Sequence, residues 1–427
     1  MTTRTDASAR AEERAERNLL GMSFQSEVPA GLDSAWPGPG DGMSRKHSRP
    51  LPGVTDLVGA PTFQAEAVVD LDAVAANVAN LASRTRAEVM PAVKADAYGH
   101  GLVPVARACV AAGASALVVA TLPEARALRT AGVDVPVLAL LAAPGQDVVG
   151  AIDNDVEMSA GSIDQLSELT EAGASRAARV HLEADTGMGR GGVPEAEWEA
   201  FVEQAAKAQA AGRVEIVGVW SHLACADEPT SPVNPLQRDA FDRFTQAATA
   251  AGLTPRWRHL ANSAATLADP AAHYDMVRPG IAVYGYSPIE GETFGLRPAM
   301  SLRARLTQVK RLPAGHGISY GHTYTTERDT TVGIAPLGYA DGIPRSTSNR
   351  AEVVLAGRRV RIRGRVCMDQ VVVDCGDVRA KAGDVVEFFG DGPVTADDWA
   401  RWHHTISYEI LTSVGARVSR RYRGMGA

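Results

Sequence analysis

From Phe63 to about Tyr286 the chain alternates short runs rich in Val, Ile, Leu and Ala with longer alanine-rich stretches of helical period, and that alternation limits the fold more than any single residue. Eight strand candidates appear: Glu88 to Val93, Ala116 to Ala120, Val135 to Leu141, Val156 to Ser159, Arg179 to Leu182, Glu215 to Trp220, Trp257 to Leu260 and Met276 to Arg278. Helical stretches such as Leu71 to Ser83, Pro123 to Ala131, Glu195 to Ala211 and Asp239 to Ala251 lie between them. Eight strand–helix units predict a (β/α)8 barrel. Beyond Leu296 the pattern changes to denser β-type runs, Val332 to Pro336, Glu352 to Val366 and Val371 to Val373, with one helix near Thr395 to Trp402. The expected class is therefore α/β, a barrel over residues 63–295 followed by a mostly β domain over residues 296–427.

Composition excludes several roles. A chain of 427 residues, 45% hydrophobic and 22% charged, is too long for one ordinary domain and has a normal globular balance. With a net charge of −7 and no basic stripe interleaved with aromatics, it carries no footprint for nucleic acid. The four cysteines, Cys109, Cys225, Cys367 and Cys375, are scattered, so neither a disulfide framework nor a metal site is expected, and a reducing cytoplasm fits best. No run reaches the ~20 apolar residues of a membrane span, and the N-terminus has no apolar signal core. Residues 1–62, Gly/Pro/Ser-rich around Trp36-Pro37-Gly38-Pro39-Gly40, read as a disordered extension with a short amphipathic helix over residues 8–20. Either Met43 is the native start or the tail is lineage-specific.

A barrel gathers its chemistry at the C-terminal ends of its strands. The unusual polar residues fall there: Lys94 after the first strand, Glu183 after the fifth, His222 after the sixth, Asn262-Ser263 after the seventh and Arg278-Pro279-Gly280 after the eighth. Lys94, in Ala92-Val-Lys-Ala-Asp-Ala-Tyr-Gly-His-Gly101, is placed to be partly desolvated, which frees its lone pair for attack on a carbonyl. A lone lysine there would more often be one that snorkels from a strand end. Ser263 opening a helix, the Gly280-Ile281 amides and the Tyr98 phenol suit an anion such as a phosphate, although a helix cap and a turn glycine meet the same pattern. Arg278 stays protonated and cannot hand a proton to a ring nitrogen it faces. By itself it reads as a salt-bridge partner. Tyr320, in Gly317-Ile-Ser-Tyr-Gly-His-Thr-Tyr324, needs help from neighbours to act as a base near neutrality. An interface aromatic is the alternative, and for His222 a core histidine.

The run around Lys94 closely resembles the cofactor-lysine motif of the alanine racemases, a family dependent on pyridoxal 5′-phosphate (PLP). Matches continue at Tyr98, Trp220-Ser-His-Leu, Asn262-Ser263, Val277-Arg-Pro-Gly-Ile-Ala-Val-Tyr-Gly285, Tyr320, Pro336-Leu-Gly-Tyr-Ala-Asp-Gly342 and Val366-Cys-Met-Asp-Gln370. The resemblance implies a PLP-dependent racemase that interconverts L- and D-alanine and supplies peptidoglycan. Lys94 would carry the cofactor and act on one face of the substrate while Tyr320, bonded by His222, acts on the other. Tyr98, Asn262, Ser263, Gly280 and Ile281 would hold the phosphate, and Arg278 the pyridine nitrogen. Arg190, Tyr339 and the Met368 amide would handle the substrate carboxylate, with Arg345 and Arg365 narrowing the mouth. A head-to-tail homodimer is implied, because Tyr320 lies past the barrel. A broader racemase or a lyase on the same scaffold is the runner-up; a single-barrel cofactor carrier is the reading from another class. Two departures stand out. Glu183 replaces a lysine whose carbamate pairs with the arginine at 190 in many members, and Ala416 stands where some relatives have a phosphate- or gate-lining tyrosine.

Overall fold

The computed structural model describes residues 63–426; the N-terminal extension, including the helix expected over residues 8–20, lies outside them. All eight expected barrel strands form, running Glu88–Val89, Leu117–Thr121, Val137–Leu141, Val156–Ala160, Ala178–Glu183, Val214–Trp220, Trp257–His259 and Met276–Val277. The middle six make one parallel sheet and the first and last pair with each other in parallel. Closure comes from two links that join these pieces: Val93 N donates to Val118 O at 2.9 Å and Arg278 N to Ala261 O at 2.8 Å. The helices turn apolar faces inward, as in Leu71–Ser83, which buries Leu71, Val74, Val78 and Leu81 and is capped by the Asp70 carboxylate accepting from Ala73 N.

One strand departs from its expected place. Ala65–Asp70, counted by the sequence among residues 63–295 with the barrel, pairs antiparallel with Met300–Arg305 and parallel with Ser419–Arg423. It sits inside a nine-stranded sheet otherwise built from residues beyond 299. Its short apolar run, buried from Glu66 to Asp70, carries no period that would distinguish a barrel strand from a sheet strand. The run from Glu352 to Val366 is two strands, Glu352–Leu355 and Arg358–Arg363, folded as a hairpin through Ala356 and Gly357. Both turn residues have positive φ, 50° and 75°, as a two-residue hairpin turn that follows the strand twist requires. The helix expected near Thr395 forms as Ala396–His403, and a second short helix, Ser407–Thr412, follows it toward the barrel mouth. Among the described residues, no helix is long and apolar enough to cross a membrane and no cluster of His, Cys, Asp and Glu could hold a metal ion.

Candidate functional site

A cavity of about 580 Å³ opens at the C-terminal ends of the barrel strands. Nine of the residues singled out from the sequence line it: Lys94, Tyr98, Arg190, His222, Asn262, Ser263, Arg278, Gly280 and Ile281. Lys94 is carried on a turn that leaves the first strand backwards, with Ala95, Asp96, Ala97 and Tyr98 all in the left-handed region at φ 53–54°. Burial lowers its amine pKa, and the Arg190 and Arg278 charges lower it further against the pull of Glu124. The neutral, nucleophilic form of the amine is thus more accessible here than in a free lysine.

Ser263 and Gly280 meet in the cavity wall. The Gly280 and Ala282 amides donate to the buried Ser263 hydroxyl at 2.7 and 3.3 Å, and Asn262 caps the short helix through Ala265 N. A Cβ on Gly280 would stand 2.3 Å from the Tyr98 hydroxyl, so only glycine lets that phenol reach the backbone here. The Tyr98 ring stacks on Tyr284 at 4.6 Å, and burial pushes its phenol up to about 12, keeping it a donor.

Arg278 is buried and nearly saturated. Nη1 donates to His259 Nδ1 and to His259 O, at 3.0 and 2.7 Å; Nη2 donates to Ser221 O at 2.7 Å and faces His222 Nδ1 at 3.4 Å. Among the described residues Nε, unlike Nη1 and Nη2, donates to no protein acceptor, and the residue lines the cavity. Burial pulls Arg278 down to about 9, which leaves it a cation near neutrality. His222 is pushed down to about 3 by burial and by the Arg278, Arg190 and Lys94 charges, so it is neutral. With Nδ1 turned to a guanidinium, its proton belongs on Nε2, and it has a hydrogen bond to give.

Five expected residues are not brought into this cavity by the chain itself: Arg345, Arg365, Tyr320, Met368 and Tyr339. Tyr320 is 71% exposed, Met368 52% and Tyr339 45%, all on the β domain; Tyr320 and Met368 share a separate depression with Cys367 and Gln370. The bond expected between His222 and Tyr320 is therefore not made within one chain. Glu183 and Arg190 make no ion pair within 4.0 Å among the described residues. The Glu183 carboxyl instead lies against the Gly161 and Gly191 backbones, and burial pushes it up to about 7 against the Arg278 and Arg190 charges. Ala416 is exposed and lines nothing. A tyrosine does stand at this wall, Tyr408 on the second short helix, its ring 6.0 Å from Tyr98, so the alanine at 416 removes no aromatic from the cavity. Sequence reading also missed Glu124, which accepts Ala95 N at 2.6 Å beneath Lys94. Thr121 and Glu124 form a capping box, a signal for a helix start that says nothing of the lysine turn.

Residues 69–288 match the family model for the alanine racemase N-terminal domain and residues 299–422 that for the C-terminal domain. The alanine racemase of Salinispora arenicola is 53% identical over 368 residues, covering 85% of this chain and 99% of that protein. Among solved structures, alanine racemase from D-cycloserine-producing Streptomyces lavendulae superposes with a TM-score of 0.84 at 49% identity, covering 85% of this chain and 98% of that one. The Streptomyces coelicolor enzyme follows at 0.82 and 47%, covering 84% and 98%. The chain belongs to the alanine racemase family.

Proposed function

We propose that the protein interconverts L-alanine and D-alanine with PLP as cofactor and with Lys94 and Tyr320 as bases on opposite faces of the substrate. The observation that carries this reading is the set of groups lining one cavity: an amine whose pKa is lowered, the Gly280, Ser263 and Tyr98 group suited to an anion, and an Arg278 Nε–H with no protein acceptor among the described residues. A group with an aldehyde, a phosphate and a ring nitrogen fits that set. When bound, PLP would supply an electron sink that acidifies the substrate α-hydrogen.

The chain's own residues then divide the work. Lys94 Nζ anchors the cofactor and holds or releases a proton on one face. Arg278 gives the ring nitrogen a hydrogen bond but no proton, which limits the sink and favours prompt return of the proton over other fates. His222, neutral and with Nε2–H to give, would lower the cost of a tyrosinate facing it. Arg190 at the cavity edge suits the substrate carboxylate.

Tyr320 reaches such a site only from a second copy of the chain. An exposed phenol beside an exposed methionine on the β domain is the surface that a head-to-tail dimer would press into a partner's barrel mouth. Soluble cytoplasmic enzyme supplying D-alanine for peptidoglycan is the setting this reading implies. The test is mixing inactive Lys94→Ala chains with inactive Tyr320→Phe chains carrying a different tag. Verified heterodimers should regain up to one intact site each, with L- and D-alanine followed on a chiral column. Heterodimers as inactive as either parent would refute the shared site, and turnover of serine or threonine in preference to alanine would favour the broader enzyme.

A further inference from the structure

Barrel interiors are normally filled by layers of branched apolar side chains. Here a continuous line of polar groups crosses the interior instead. Arg278 Nη1 is 3.0 Å from His259 Nδ1, His259 Nε2 is 2.8 Å from His181 Nδ1, and His181 Nε2 is 2.9 Å from Glu157 Oε2. Arg179 Nη2 lies 2.7 Å from the other Glu157 oxygen. His181 and His259 are 0% exposed and Glu157 1%, so these three side chains are closed to bulk water and depend on one another for partners.

The line has a direction. A guanidinium only donates, so His259 Nδ1 must be a lone pair and its proton must sit on Nε2. That N–H requires a lone pair on His181 Nδ1, which leaves the His181 proton on Nε2, aimed at a carboxylate that only accepts. A proton added at His181 Nδ1 would turn His259 round and set N–H against N–H at Arg278. The surroundings are shaped for this line. Strand pairing shifts register at Val180/His181, and opposite it Gly218 leaves room where a Cβ would stand 2.2 Å from His181 Nδ1. Trp220 lies parallel to His259 at 6.0 Å, and the Arg278 guanidinium sits 4.9 Å above the same indole.

We propose that Glu157, acting through His181 and His259, fixes the tautomers that hold the Arg278 guanidinium toward the cavity, which makes all three positioning residues for the reaction. The proposal rests on the reading of Arg278 given above, but its first test does not. Long-range proton–nitrogen NMR on cofactor-free protein labelled with nitrogen-15 at histidine reports which ring nitrogen carries each proton. Both His181 and His259 should be neutral with the proton on Nε2. Either one protonated at Nδ1 overturns the proposal, whether or not the loaded enzyme racemises alanine. The second test compares Glu157→Leu, which removes the final acceptor, with Glu157→Gln, which keeps an oxygen there. In the leucine variant the His259 tautomer should change, the absorbance of the loaded enzyme should shift, and kcat should fall about ten- to hundredfold with KM little altered. The glutamine variant should retain the native tautomers and most of kcat. If both variants behave alike, or the leucine variant keeps native tautomers and kcat, the line does not direct Arg278. Should the leucine variant not fold, Gly218→Ala displaces His181 by its added Cβ and must give the same tautomer change and kcat loss.

Discussion

Replacing Glu183 by Gln separates the electrostatic cost of this carboxylate from any service it gives to Arg190. The side chain ends the strand Ala178–Glu183 and is wedged between glycines: a Cβ on Gly191 would lie 2.9 Å from Oε1, and one on Gly161 3.0 Å from Oε2. Burial lifts its pKa from 4.5 to about 7 despite the Arg278 and Arg190 cations. The folded state thus binds this proton more tightly than the unfolded state does. The stability tied to the group is complete below about 4.5 and is lost as pH rises through about 7. At ~1.4 kcal/mol per pH unit the loss has a ceiling of about 3 kcal/mol, and because the side chain is only half-buried the expected size is about 1.5–3 kcal/mol. A glutamine, which never ionises, avoids it. Urea unfolding of cofactor-stripped protein, used so that cofactor linkage does not enter, should show Glu183→Gln matching the parent at pH 5 and exceeding it by that amount at pH 8. Activity of the parent should be indifferent to added bicarbonate, since no lysine carbamate is needed. A variant whose advantage is the same at both pH values would refute the account of Glu183 as a carboxyl titrating near neutrality.

Two further outcomes follow from the cavity. Lys94→Ala should lose the visible absorbance and the borohydride-reducible link of the loaded enzyme, and turnover should fall by several orders of magnitude; survival of a reducible link would refute the anchor. Arg278→Glu should allow the ring nitrogen to protonate, giving a new long-wavelength band, slower racemisation and more transamination, whereas an unchanged spectrum and product ratio would make Arg278 purely structural.

The barrel was legible because its signal is repeated: eight short apolar runs separated by helical stretches survive a misread boundary at any one of them. Lys94, His222, Ser263 and Arg278 were legible for a related reason, since the fold says where strand ends converge and these residues stand at them. What remained hidden depends on contacts that no local pattern encodes. Ala65–Asp70 is a short run buried almost throughout, and its partners lie more than two hundred residues away. Tyr408 sits in a six-residue helix with too few turns to show a period, so the wall it forms beside Tyr98 is visible only in three dimensions. Glu157, His181 and His259 were absorbed into strand candidates, and nothing in a short, largely buried strand shows that three polar side chains from different strands meet.

The turn that carries Lys94 explains why the barrel alone does not complete the site. A left-handed conformation costs about 1–2 kcal/mol for each residue bearing a Cβ, so Ala95, Asp96, Ala97 and Tyr98 together cost about 4–8 kcal/mol. In return the chain doubles back so tightly that the Lys94 amine and the Tyr98 hydroxyl, four residues apart, line one cavity. Part of the restraint is local: Ala97 N donates to Val93 O at 2.9 Å, and the Asp96 carboxylate accepts Leu102 N at 2.8 Å. Another part comes from the next barrel unit, through Glu124 and Ala95 N. The rest comes from the far end of the chain. Arg420 donates to Gly99 O at 3.0 Å, and Leu411 O packs so close to Gly99 that a Cβ there would stand at 2.5 Å, at a φ of 78° that itself calls for glycine. A protein that only carried a cofactor in a barrel would have no need of strain braced from a second domain. Here residues 411–420 of the β domain hold the lysine turn of their own chain in place, while Tyr320 stays exposed, as the proposed shared site would require.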